Sequence, residues 1–107
     1  AYYQPVDLPG FMGDLEGVRA AEADFLANAP RDVWALASIL PRLASAFARA
    51  GDPDRAMHYL ERQVEVFGPH RFLVFSIDPD FDSLREHPRY LALEARYQAW
   101  AREQGRE

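Results

Sequence analysis

Gly51-Asp52-Pro53-Asp54 joins two long stretches whose apolar residues recur at helical spacing, and this short junction constrains the chain more than any other feature. Upstream, Val33, Leu36, Ala37, Leu40, Leu43, Ala44, Phe47 and Ala50 fall on one stripe of a helix over about 31–50. Downstream, Ala56, Tyr59, Leu60, Gln63, Val64 and Phe67 form the inner stripe of a helix over about 53–67, with Arg55, His58, Glu61, Arg62 and Glu65 outside. Gly51 supplies the left-handed residue that ends the first helix. Asp52 caps the second, Pro53 takes its first position, and Asp54 faces the positive end of its dipole. A connection this short makes the two helices an antiparallel hairpin. Pro41 interrupts the upstream stripe, at a cost of about 3 kcal/mol in a helix interior. Leu40 is a poor N-cap for a fresh start, so the pattern predicts one bent helix rather than two.

The rest of the chain uses the same start and stop signals. Asp14 caps a helix over about 14–28 that stops before Pro30, with Leu15, Val18, Ala21, Phe25 and Leu26 inward and Glu16, Arg19, Glu22 and Asp24 outward. Gly68-Pro69 closes the hairpin. Phe72 to Ile77 has the composition of a strand, but no other segment offers it a partner, and a lone strand leaves its backbone unpaired. A short buried helix over about 70–77 is expected instead. Asp78-Pro79-Asp80 opens a one- or two-turn helix over 79–85. His87-Pro88 opens the last helix, over about 88–103, with Tyr90, Leu93, Tyr97 and Trp100 on one face. The reading is all-α: one helical domain over 14–107, preceded by an extended arm over 1–13. Tyr2, Tyr3, Val6, Leu8 and Phe11 of that arm dock on the domain's own first helix or on another surface.

Composition closes off most chemistry. At 107 residues and 49% hydrophobic the chain holds a packed core, and its net charge of -5 is the wrong sign for a nucleic-acid surface. All 12 basic residues are arginine, which removes Schiff-base and phosphate-loop lysine chemistry. The absence of cysteine removes disulfides, thiolate metal sites and thiol nucleophiles. Val33 to Pro41, the longest uncharged central run, is about half of a membrane span. No basic and apolar leader opens the chain. It reads as soluble, leaning towards the cytoplasm, and its first residue, Ala1, is read as a sign of processing or of a longer polypeptide. Asp78, Asp80 and Asp82 have the opening spacing of a calcium loop, but Ser83 replaces the turn glycine and Arg89 stands where a bidentate Glu is needed. Helix capping explains them, as it does Asp52 and Asp54. His58 with Glu61 or Glu65 has no second histidine near in sequence, and His70 and His87 sit beside prolines at helix starts. No catalytic, cofactor-binding or metal-binding residue is assigned, and no cofactor is expected. The chain is expected not to be an enzyme.

The hairpin resembles the tetratricopeptide repeat. Leu40, Leu43-Ala44 and Phe47 stand at the spacings that family uses on its first helix, Gly51-Asp52 at its turn, and Ala56 and Leu60 on its second helix. Gln63 departs from the usual small residue, and the closing Pro69 comes one residue late. Small residues there let the helices approach closely while Leu43, Phe47 and Leu60 fill the space between. The run from Asp78 to Leu93 is similar to the segment that closes many bacterial arrays of this family: an Asp-Pro turn, a Leu-Arg pair and a Pro-Arg-aromatic helix. The resemblance covers about residues 35–100 and implies the end of an array, with 14–28 as the second half of a preceding repeat.

What the family implies for function is protein recognition along the face of the first helix of each hairpin. Carried over, the outward positions are Ser38, Pro41, Ser45, Ala48 and Arg49, with Trp34 and Arg42 beside them. Arg49 either pairs an acidic group of a partner or offsets the negative end of its own helix. The family's carboxylate clamp for chaperone tails relies on lysine and asparagine, so the lack of lysine argues against that partner. The expected role is a scaffold binding a protein segment or a neighbouring subunit, with self-association left open. The alternatives are a small structural subunit of a larger complex, or the regulatory C-terminal region of a multidomain signalling enzyme such as a kinase or cyclase.

Overall fold

A computed structural model describes residues 12–28 and 33–105, with side chains from residue 39 onward in the second helix. Helix α1 spans Leu15–Ala27, α2 Val33–Ala50 and α3 Pro53–Phe67. A 3-10 turn, Pro69–Arg71, runs into the short α4, Phe72–Ser76; a second, Pro79–Leu84, precedes α5, Pro88–Glu103. Among the described residues there is no strand, and the fold is all-α. The arm expected over 1–13 lies outside the described residues except for Met12 and Gly13, and so do the side chains of Trp34 and Ser38.

Local signals set the helix ends. The Asp14 carboxylate accepts from the Gly17 amide at 3.0 Å, and Asp52 accepts from the Arg55 amide at 3.1 Å, each satisfying an orphan donor of a first turn. Gly51 takes φ +93°, and the Asp52 amide reaches back to the Phe47 carbonyl at 2.9 Å, which stops α2. Pro41 sits inside α2, which continues through it as one helix. Pro41 brings no N–H for the carbonyl one turn before it. Pro41→Ala is therefore expected to stabilise the fold by about 1–3 kcal/mol, visible as a raised urea midpoint; an unchanged or lower midpoint would mean the helix has adapted fully to the ring.

The α2–α3 hairpin is the core. Leu43, Ala44, Phe47, Ala56 and Leu60 are fully buried between its helices and their neighbours, and Phe47 stacks on Tyr59 with centroids 6.1 Å apart. On one side α1 adds Val18, Ala21 and Phe25. The closing segment adds Phe72, Phe75, Phe81 and Leu84, with Phe75 edge-on to Phe81, while α5 contributes Tyr90 and Leu93.

Several expectations need correction. Leu26 is 56% exposed, because Phe25 already fills the inward position. Glu22, expected outside, is buried at 8% exposure against α3. The helix expected over 70–77 is a 3-10 turn followed by a short α-helix. It buries Phe72 and Phe75, while Leu73, Val74 and Ile77 face outward, Ile77 with 82% exposure. The segment expected as a helix over 79–85 is 3-10.

Polar ties hold the closing segment and α5 to one another and to the hairpin. Gln63 is fully buried and, with its amide carbonyl turned to Arg71, accepts from Nε and Nη2 at 3.1 and 2.9 Å. Arg85 donates to the Tyr90 hydroxyl at 2.6 Å, to the Asp78 carbonyl at 3.1 Å and to Asp82 at 3.1 Å. His87 accepts the Arg89 amide on Nδ1 at 3.1 Å and meets Asp54 through Nε2 at 2.8 Å. Arg89 forks onto both oxygens of Glu61 at 2.8 and 2.5 Å.

The hydrogen bond from Arg89 lowers the pKa of Glu61 below the ordinary carboxylate value. A lowered folded-state pKa stabilises above the unfolded value, and that contribution is lost as pH falls through the folded one. Half-exposed, the pair is worth little. Glu61→Gln is expected to cost about 0.5–1 kcal/mol at neutral pH, with the gap to the wild type closing between about pH 5 and 3. Urea midpoints across that range check it; a gap that stays constant would contradict the pairing.

Candidate functional site

The outward side of α2 forms one wall of a groove. Its cavity, about 320 Å³, is lined by Pro41, Arg42, Ser45, Ala46 and Arg49 from α2 and by Asp78 and Asp80 from the turn after α4. Arg42, Ser45, Ala46 and Arg49 follow the three-and-four spacing of one helix face. The turn is brought to α2 by the burial of Phe75 and Phe81 on either side of it. Asp78 caps the turn, its carboxylate accepting from the Asp80 amide at 2.9 Å. This leaves the Asp80 carboxylate to face α2, where Ser45 Oγ donates to Oδ2 at 2.6 Å and Arg49 donates to Oδ1.

Of the residues expected on this face, Pro41, Arg42, Ser45 and Arg49 come together at the groove. Ala48 does not line it. One turn after the buried Ala44, it is half-buried and packs on the core. Arg49 pairs with an acidic side chain of this same chain, Asp80, which neither reading of it anticipated. Ala46 shares the helical spacing of Arg42 and Arg49, but an alanine carries no recognition signal of its own. Asp78 and Asp80 carried no groove signal beyond capping, and the capping reading holds for Asp78 while Asp80 makes a tertiary contact.

A second polar cluster lies between α1 and α3. The Glu22 carboxylate accepts from Arg55 Nε at 2.5 Å and from the Tyr59 hydroxyl. The Arg55 guanidinium also lies 5.5 Å from the Tyr59 ring centroid, a cation–π arrangement. Burial, followed by the bond to Glu22, pushes the Tyr59 phenol well above its ordinary range. The cluster is closed: the buried carboxylate and phenol and the partly exposed guanidinium occupy one another, a structural latch that holds α1.

The remaining positions have local occupations. His58 meets the Tyr59 ring edge-on at 4.9 Å, and His70 lies 6.2 Å from the Trp100 ring. Burial also raises the pKa of Tyr90. Among the described residues no three potential metal ligands come together, and no helix is long and apolar enough to cross a membrane. What the groove offers chemically is paired hydrogen-bond donors and acceptors beside a proline and an alanine, a surface suited to recognition. Comparison of the chain with protein-family models, curated proteins and solved structures finds no match.

Proposed function

We propose that this domain is a non-catalytic protein-interaction module, the terminal portion of a tetratricopeptide-like helical array, which holds a protein segment or a neighbouring subunit in the α2 groove. The observation that carries this is the groove itself: a cavity of about 320 Å³ on the outer side of α2, walled by a helix and by the turn that follows the hairpin. Pro41 supports it. A proline inside a helix violates the local rule, and such violations concentrate where function needs them; this one lines the groove.

The exposed Leu73, Val74 and Ile77 favour a second reading, the structural subunit. Exposed apolar side chains on one short helix and at its end suit a permanent contact. In that case the α4 surface, rather than the groove, carries the interface.

One experiment separates the two. The chain is used as bait in extract of its native source, as wild type, as Arg42→Glu and as Ile77→Glu. Both substituted positions are exposed, and circular dichroism checks that each variant keeps its helices. A partner retained by the wild type and Ile77→Glu but lost at least tenfold by Arg42→Glu supports groove recognition. Loss with Ile77→Glu alone supports the subunit reading, and equal retention by all three contradicts both.

A further inference from the structure

Ser45 and Arg49 lie one helical turn apart on α2, and both donate to one carboxylate, each to a different oxygen. A hydroxyl and a guanidinium so spaced make a two-point grip for a carboxylate, with the charge-assisted bond as its stronger half. The carboxylate that fills it belongs to Asp80. That side chain is not needed to start its own turn, since Asp78 caps it. Nor is it buried in the core: it sits in the wall of the groove. Asp80 thus has the position of a ligand group that the chain supplies to itself.

We propose that Asp80 is a built-in competitor for the α2 groove, and that a partner binds by presenting a carboxylate to Ser45 and Arg49 in its place. The inference rests on the groove being the recognition face. Its consequence is arithmetic: while Asp80 occupies the grip, only the fraction of molecules with the Asp80 side chain turned away is competent, and apparent affinity falls by that fraction. If Asp80 fills the grip nine-tenths of the time, removing its charge tightens binding about tenfold. A bound carboxylate would take the polar ties of Asp80 to α2, while Phe81 and Leu84 keep the turn Pro79–Leu84 in the core. A carboxylate can come from an acidic side chain or from a chain terminus, and the grip does not distinguish them.

The test uses the full chain, as wild type and as Asp80→Asn, titrated with three acetylated pentapeptides followed by amide shifts in NMR spectra. One is Ala-Leu-Glu-Leu-Ala with an amidated end, one replaces Glu by Gln and ends in a free carboxylate, and one has Gln and an amidated end. The proposal expects Asp80→Asn to bind at least one carboxylate peptide about tenfold more tightly than the wild type does, with shifts centred on Ser45 and Arg49. Whichever of the first two peptides binds identifies the source of the carboxylate. Equal affinity for the neutral peptide, with shifts still at Ser45 and Arg49, would overturn the competitor while leaving the groove as the recognition face. Shifts elsewhere, or none with any peptide, would overturn both. If Asp80→Asn fails to fold, the wild type at millimolar peptide decides the matter: shifts at Ser45 and Arg49 accompanied by shifts through Asp80 to Leu84 support displacement, and their absence contradicts it.

Discussion

Phe47→Ala is expected to remove about 3–5 kcal/mol of folding stability. Phe47 is fully buried, stacked on Tyr59 of α3, and sits in the last turn of α2 where its carbonyl also receives the Gly51 and Asp52 amides. Neighbours on both hairpin helices fix the backbone there, so a cavity cannot collapse cheaply. A domain of this size has only about 5–15 kcal/mol in total. The variant should therefore unfold near physiological temperature or in low urea. Urea unfolding followed by circular dichroism measures this directly; a loss below about 1 kcal/mol would mean that the hairpin is not the centre of the core. Ala44→Leu tests the same packing from the other side, by overfilling a fully buried position.

Arg55→Ala is expected to be damaging through charge rather than packing, at about 2–3 kcal/mol. It leaves the buried Glu22 carboxylate with the Tyr59 hydroxyl in place of an ion pair, and an undercompensated buried charge is costly. Arg55 is itself partly exposed, which keeps the loss below that of a wholly buried pair. Arg55→Lys should recover part of it, restoring the charge without the Nε donor that meets Glu22. Replacing Glu22 and Arg55 together by leucine and methionine should cost less than Arg55→Ala alone, since no charge is then left behind. The latch also sets an alkaline limit. With its pKa raised by burial and by Glu22, the Tyr59 phenol keeps its proton in the folded state while the unfolded chain loses its own near pH 10. The stability linked to it is full below that value and is lost as pH rises through the folded pKa. Absorbance titration at alkaline pH should show Tyr59 ionising only with unfolding; Tyr59→Phe should remove that linkage.

The sequence showed much of this architecture and little of its polar wiring. Asp14, Asp52, Asp78 and His87 cap as their local patterns demand, because capping involves residues two or three apart in the chain. The inner stripes of α2 and α3 were readable from spacing for the same reason: helical geometry is local. Glu22 was placed outside on polarity alone. Its partners Arg55 and Tyr59 lie in another helix, and no local pattern announces a carboxylate that is buried because something distant satisfies it. Asp80 is the same case, read as a cap when its neighbour Asp78 already held that role. Gln63 is a misfit beside a small-residue pattern, and its amide carbonyl is satisfied by Arg71 from beyond the hairpin. Four residues of the groove were visible as one helix face, whereas the opposite wall depended on how the closing turn folds back.

The central claim is that the α2 groove is where this domain meets its partner. The most direct measurement places a photo-crosslinking amino acid at Arg42, in the groove, and in a second variant at Gln98, on the exposed side of α5. Each full chain is expressed in its native source, irradiated, and resolved by mass. The account predicts a discrete crosslinked polypeptide from position 42, none from position 98, and competition at position 42 by excess wild-type chain. Crosslinks from position 98 alone, or identical patterns from both positions, would contradict it.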